Sequence, residues 1–358
     1  MAEHVRTKTG RGAASQPGNR FEAVHAVPDW EQLADPAEAE PRKLATVLLP
    51  DASKTVITSN DSPDIPFRYS INPYRGCEHG CAYCYARPGH EFLGLSAGLD
   101  FESRILVKYE APALLRRELN RPGWRGETLM LSGVTDCYQP TERKLALTRG
   151  LLEVMHEARQ PAAIITKNAL VLRDLDLLAP MAAERRAGVG VSITTLDAEL
   201  ARTLEPRTSP PARRLEAIRR LSAAGVPVRV MTAPIIPGLN DHEIPNILEA
   251  ARDAGAVSAG YVMLRLPLAV EPIFREWLRL HRPEAVERVE ARIRRVRGGG
   301  LSDSRFGQRM RGEGPYAEGI KQTFDVWCKK FGLNEPQPPL DSSQFRPPRL
   351  PGGQMRLF

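Results

Sequence analysis

Apolar and polar positions change rhythm along this chain of 358 residues. From about residue 67, short apolar runs alternate with longer stretches in which apolar side chains recur every three to four positions. The runs 67–72, 127–132, 162–166, 188–194, 227–233 and 257–264 read as strands. The stretches 110–120, 141–159, 169–185, 210–224, 241–254 and 271–297 read as amphipathic helices. Such alternation predicts a parallel sheet with right-handed crossovers. Six units make an α/β fold of the TIM type, an incomplete (β/α)6 barrel open on one side, with functional residues at the C-terminal ends of its strands.

The flanks have a different texture. Residues 1–66 are rich in turn formers and carry ten acidic against seven basic side chains, with strand-like runs only at 45–50 and 55–59. They read as an extension packed on the core, its first twenty or so residues mobile. The core spans 67–300, and 301–334 reads as a capping segment that ends in a helical pattern. Residues 335–358 read as a flexible tail, because six prolines between 335 and 353 argue against a packed element. As a linker, those residues would reach about 55–60 Å at ~3.1 Å per residue.

Composition narrows the class. A hydrophobic fraction of 42% and a charged fraction of 26% fit a globular chain. No apolar run approaches the roughly 18–20 residues of a membrane span, and the polar N-terminus lacks the apolar stretch of a secretory signal. The expectation is a cytoplasmic protein with no membrane partner. A net charge of +7 permits a polyanionic partner without demanding one. Eight arginines between 288 and 311 read either as a track for phosphates or as a solvated helix face.

Three of the five cysteines fall within eight residues, as Cys77-x3-Cys81-x2-Cys84, just after the first core strand. Three thiolates on one loop can hold three corners of an iron–sulfur cube while the fourth iron stays open. The alternative is a zinc site completed by His79 or a distant residue, although no second Cys pair exists to complete a structural zinc centre.

With an aromatic residue before the last cysteine, this motif resembles the signature of the radical S-adenosylmethionine (radical SAM) superfamily. Within it, the chain is most similar to the spore photoproduct lyase group, also called DNA repair photolyase-like. The resemblance rests on Cys81-Ala82-Tyr83-Cys84-Tyr85, Thr166-Lys167-Asn168, Val191-Ser192-Ile193-Thr194 and the run Ala233–Asn240. It implies a [4Fe–4S] cluster on Cys77, Cys81 and Cys84, with S-adenosylmethionine bound at the open iron. It also implies cofactor contacts from Lys167 and Ser192, and from Ser132, Gly133 and Asp136 after the second strand. An electron donor such as flavodoxin or ferredoxin is implied with them.

The lyase group breaks a carbon–carbon bond in a thymine dimer and returns a hydrogen from a cysteine, with a tyrosine beside the third cluster cysteine on the return path. By resemblance, Cys137, Tyr83 and Tyr85 are the catalytic candidates. Cys137 lies a few residues beyond the expected place and reads equally well as a packed thiol. The expected function is radical chemistry on nucleic acid, as in lesion repair. Modification of an RNA base or peptide, and a non-enzymatic iron–sulfur redox sensor, are the alternatives. The terminal Gln354-Met355-Arg356-Leu357-Phe358 resembles the short bacterial motif that docks on the DNA sliding clamp, matching at Gln354, Leu357 and Phe358.

Overall fold

The computed structural model describes residues 11–22 and 44–350. The strands are β1 (Val47–Pro50), β2 (Ile57–Ser59), β3 (Tyr69–Ile71), β4 (Tyr74–Arg75), β5 (Arg104–Val107), β6 (Leu129–Leu131), β7 (Ala162–Thr166), β8 (Ala187–Ser192), β9 (Val228–Ile235) and β10 (Ser258–Met263). Seven form one sheet in the order β10-β9-β8-β7-β6-β3-β2. All pairs in it are parallel except β2 with β3 at one edge. The fold is therefore an incomplete (β/α)6 barrel with an antiparallel strand added beside the gap.

The alternation along each strand explains the layering. In β7, Ala162 and Ile164 are buried in the main core with Leu151, Leu152 and Leu178 of the outer helices, while Ala163 and Ile165 are half-buried on the opposite face. Six of the seven strands are read correctly from the apolar runs, and β2 from the extension. A second sheet, β1-β5-β4, was not expected as a unit, although the 45–50 run marks β1. It matters because β4 and β5 bracket residues 76–103.

The helices depart from the expected spans at local breaks. The 141–159 stretch is divided at Ala146, which adopts φ +51° between Glu142–Leu145 and Leu147–Glu157. The 271–297 stretch becomes Val270–His281 and Val286–Val296, divided at Pro283. The helix Gly314–Lys330 packs Phe324 against Tyr261 of β10, so it extends the outer helical layer rather than capping the barrel. Among the described residues no helix is long and apolar enough to cross a membrane.

Two flanking segments differ from expectation. Residues 11–22, read as mobile, are packed against the loop that carries the cysteines, with Gly12 against Gly80. Residues 335–350, read as a linker, run beneath the N-terminal ends of the strands. Gln337 donates to the Val257 carbonyl, Asp341 N–H to Arg185, and Arg346 N–H to Ala158, each just before or between core elements. The Phe345 ring rests on Gly126, and Asn120 donates to the Pro348 carbonyl at 2.8 Å. Prolines bar regular structure in this strap but leave carbonyls and interspersed N–H groups free to pair with loops. The chain is held as far as Arg349, whose carbonyl accepts from Arg116 at 2.7 Å. Gln354, Leu357 and Phe358 lie outside the described residues.

Candidate active site

The three cysteines sit in one insertion. Residues 76–103 leave β4 and return through β5, and the pairing of Tyr74 with Val107 and Arg75 with Leu106 closes its base. Cys77 N–H donates to the Phe101 carbonyl at 2.9 Å and Ala82 N–H to Leu204 at 3.0 Å, which fixes the loop to its surroundings on both sides. Gly80 turns the chain between Cys77 and Cys81 at φ +65°, where a Cβ would stand 2.6 Å from the Glu102 carboxylate.

Arg87 holds the loop from within. Its fully buried guanidinium donates to the carbonyls of Cys81, Gly80, Ala97 and Gly98 at 2.9–3.3 Å and to Glu102 at 2.5 Å. The N-terminal arm closes the other side. Gly12 and Ala13 donate their N–H groups to the same Glu102 carboxylate at 3.0 and 2.8 Å. A Cβ on Gly12 would fall 1.7 Å from the Gly80 carbonyl oxygen, so only glycine allows this approach.

Cys77 and Cys81 are buried, Cys84 is half-buried, and all three are free thiols. Burial pushes each of them up, and for Cys77 and Cys81 the charge of a neighbouring cysteine raises it further. Three such thiols become thiolates together only when a cation binds among them, and soft sulfur donors suit an iron–sulfur cube. In a cube each thiolate meets its own iron, so no convergence on a single ion is needed. Among the described residues no three His, Cys, Asp or Glu side chains converge in that way. His79 is occupied elsewhere, with Nδ1 3.4 Å from Asp136 and Nε2 3.2 Å from the Asn168 amide. The donor set fits a cluster better than zinc.

The other sequence candidates meet at the strand ends. Lys167 follows β7, and its Nζ donates to the Ala233 carbonyl at 3.3 Å and lies 4.0 Å from Glu205. Ser192 ends β8 and is buried. Asp136 is spent on structure: it accepts from Thr166 Oγ1 and from the N–H groups of Lys167 and Tyr138, each at 2.8 Å. Burial pushes its carboxyl up, but His79 and these donors more than offset that and hold its pKa below the ordinary value. Ser132, at φ +78°, accepts from the Cys137 N–H, and Gly133 offers its carbonyl to the Tyr85 hydroxyl.

The two tyrosines divide. Tyr83 points inward and donates to Glu205, whereas Tyr85 is 47% exposed at the mouth. Glu205, unmarked by any motif, is the hub beneath them. It is fully buried, pairs with Arg214, and accepts from Thr194 Oγ1 at 2.6 Å. Burial pushes its carboxyl up, but Arg214, Lys167, Thr194 and Tyr83 together bring its pKa down to about 2. Asn240, within the expected run, bridges the ends of β8 and β9 by donating to the carbonyls of Thr194 and Pro234.

Cys137 lies a few residues past the end of β6. It is fully buried in the main core with Tyr138, Leu151 and Leu152, and its carbonyl accepts from Thr148. These surroundings suit the packed-thiol reading of Cys137. The arginines of 288–311 do not form one row either. Arg294 pairs with Glu290, Arg305 with Asp303 and Arg309 with Asp64, while Arg297 is buried against the Met263 and Leu264 carbonyls. An arginine outside that stretch reaches the mouth instead: Arg265, just past β10, lies 5.2 Å over the Tyr85 ring.

Two stability outcomes follow from these buried charges. Glu102→Gln leaves Arg87 as a buried cation without its counter-charge and is expected to cost about 3–5 kcal/mol in urea unfolding. A loss below about 1 kcal/mol would show that the carbonyls alone suffice for Arg87. Glu205 has a folded pKa of about 2 against an ordinary 4.5, so its stabilisation is present above pH 4.5 and is lost as pH falls towards 2. The gap in unfolding free energy between wild type and Glu205→Gln should therefore be constant from pH 6 to 8 and narrow below pH 4.5. A gap that widens on acidification would contradict this.

Comparison with known proteins agrees with the geometry. The profile of the Radical SAM superfamily matches residues 71–251. An uncharacterized protein of Mycobacterium tuberculosis (strain H37Rv) is 40% identical over 233 residues, covering 64% of this chain and 68% of that one. The FeMo cofactor biosynthesis protein NifB of Klebsiella pneumoniae is 31% identical over 214 residues, covering 55% and 42%. Among solved structures, spore photoproduct lyase complexed with dinucleoside spore photoproduct superposes with a TM-score of 0.53 at 16% identity, covering 79% of each chain. At that identity the likeness is one of fold. The chain belongs to the radical SAM superfamily, whose cofactors are a [4Fe–4S] cluster and S-adenosylmethionine.

Proposed function

We propose that this radical SAM enzyme acts on nucleic acid, in the manner of a lesion-repairing lyase, with Cys77, Cys81 and Cys84 as the cluster ligands. The observation that carries the substrate class is Arg265. Its half-buried guanidinium lies over the Tyr85 ring at the end of β10 and meets no carboxylate among the described residues. Burial, and then the nearby charge of Arg309, lower its pKa, against the opposing effects of Tyr85 and Asp64. A phosphate of a bound strand would supply an anion, and the exposed Tyr85 ring offers a base a face for stacking. The fold shared with a lyase bound to a dinucleoside photoproduct supports the same reading.

When bound, the cluster and S-adenosylmethionine supply a 5′-deoxyadenosyl radical that takes a hydrogen atom from the substrate. The protein's own residues do the placing. Lys167 would present its ammonium to the cofactor's carboxylate, held in position by the Ala233 carbonyl and Glu205. Ser192, with Ser132 and Gly133, would line the same pocket with small groups. Tyr83, fixed by Glu205, keeps the loop's inner wall rigid, and Tyr85 stands between pocket and mouth. Cys137, buried in the core, has no part in this scheme.

Anaerobically reconstituted, reduced protein should form 5′-deoxyadenosine, and UV-irradiated oligonucleotide should stimulate it well above the intact strand. Replacing any one of Cys77, Cys81 and Cys84 by Ala should abolish both iron binding and cleavage, whereas Arg265→Ala should raise the KM for the oligonucleotide more than it lowers kcat. Stimulation by neither strand would remove nucleic acid as the substrate.

The proposal includes delivery by the sliding clamp through Gln354, Leu357 and Phe358. With the strap held to Arg349, a clamp so bound would lie near the helices Ala111–Leu119 and Leu147–Glu157 rather than at the end of a long tether. Full-length protein should bind the clamp and the Leu357→Ala/Phe358→Ala variant should not. Equal binding by both would exclude this route.

A further inference from the structure

A recess of about 430 Å3 opens beside the cysteine loop, between the turn at Pro140, the short helix Ala169–Asp174 and the start of the helix Pro211–Ala223. Tyr85, Lys167, Ser192 and Arg265 do not line it, so it is separate from the mouth. Four arginines do: Arg143, Arg173, Arg207 and Arg213, with no carboxylate among the lining residues. Arg173 is met from beneath by Glu142 and Asp174, and Arg207 by Glu78. Arg143 and Arg213 are exposed and meet no carboxylate among the described residues. The recess thus shows two uncompensated positive charges, beside the positive end of a thirteen-residue helix.

Its walls touch the stretch between Cys77 and Cys81. Asn168 contacts His79 at 3.2 Å, and the Arg207 N–H donates to the His79 carbonyl at 3.3 Å. Gln139, next to Pro140, accepts from Glu78 N–H at 2.9 Å and donates to the Gly76 carbonyl at 3.2 Å. A single layer of side chains therefore separates this cationic surface from the loop. The loop's opposite side is covered by the N-terminal arm at Gly12 and by Arg87.

We propose that this recess docks a small acidic electron-carrier protein, with a low-potential flavin or iron–sulfur centre, that reduces the cluster. The inference rests on the reading of Cys77, Cys81 and Cys84 as its ligands. One electron leaves the carrier's reduced centre and enters the cluster, taking it from the 2+ to the 1+ state. The carrier is oxidised by one electron, and no bond is made or broken. Complementary charge speeds the encounter of such partners and orients them. A nucleic-acid backbone is the poorer occupant, because it needs a row of cations leading to the mouth, whereas Arg143 and Arg213 converge on one concavity over the loop.

The test uses iron-replete, full-length protein and follows the loss of cluster absorbance near ~400 nm on reduction. The reductants are dithionite and a purified acidic flavodoxin in its hydroquinone form. Arg143→Glu/Arg213→Glu should slow reduction by flavodoxin about tenfold at low salt. The same variant should keep the wild-type rate with dithionite, and Arg143→Lys/Arg213→Lys should recover most of the flavodoxin rate. Salt should slow the wild type with flavodoxin and leave the dithionite rate unchanged. Equal flavodoxin rates for wild type and the Glu variant would overturn the inference. So would loss of oligonucleotide binding in that variant with the flavodoxin rate intact, which would make the recess a phosphate site. Wild-type protein that binds no iron would instead overturn the reading of the cysteines, and the docking with it.

Discussion

The buried pair of Arg87 and Glu102 is the constraint on which the rest depends. A loop of glycines, cysteines and short turns has little apolar surface with which to order itself, and fixing each residue costs about 1–2 kcal/mol of backbone entropy. Arg87 answers this with a rigid fork of donors that gathers the carbonyls of Gly80, Cys81, Ala97 and Gly98 around one point. Glu102 neutralises it and, through Gly12 and Ala13, joins the N-terminal arm to the same point. A buried ion pair is a weak source of net stability, but its geometry is demanding. That is the property needed by three thiols that must face one cluster.

A second buried charge centre organises the strand ends. Glu205 joins Tyr83 from the cysteine loop, Thr194 after β8, Arg214 from an outer helix and Lys167 after β7. The loop and the barrel top are thereby referenced to one carboxylate as well as to each other's backbone through Ala82 and Leu204. With its pKa near 2, that carboxylate stays charged throughout the neutral range, so Lys167 keeps a fixed counter-charge however the pocket is filled. Asp136 plays the same part on a smaller scale, joining the segment after β6 to the end of β7 and to His79.

What was legible in the sequence follows from how local each signal is. Parallel strands with both faces covered leave apolar runs, and those runs gave the barrel and its order. The cysteine spacing is a local pattern and pointed to its chemistry directly. Glu102, Arg87, Glu205 and Arg214 were invisible because each is a single charged residue whose partner is set by the fold. The strand β5 is only four residues long and pairs with a strand of two, too short for a periodic signature. Cys137 stayed open between two readings because its burial depends on core packing that no local pattern marks. The prolines of 335–350 misled because they exclude regular structure, which is not the same as excluding contact.

The placement of cations completes the argument. Arg309 is neutralised by Asp64, Arg294 by Glu290 and Arg214 by Glu205. Arg265 stands at the mouth beside Tyr85, and Arg143 and Arg213 stand over the outer side of the cysteine loop. A radical enzyme must take in an electron and a substrate without letting either block the other. Two separate cationic surfaces beside one loop would meet that requirement, with the rigid centres at Glu102 and Glu205 holding the loop in place.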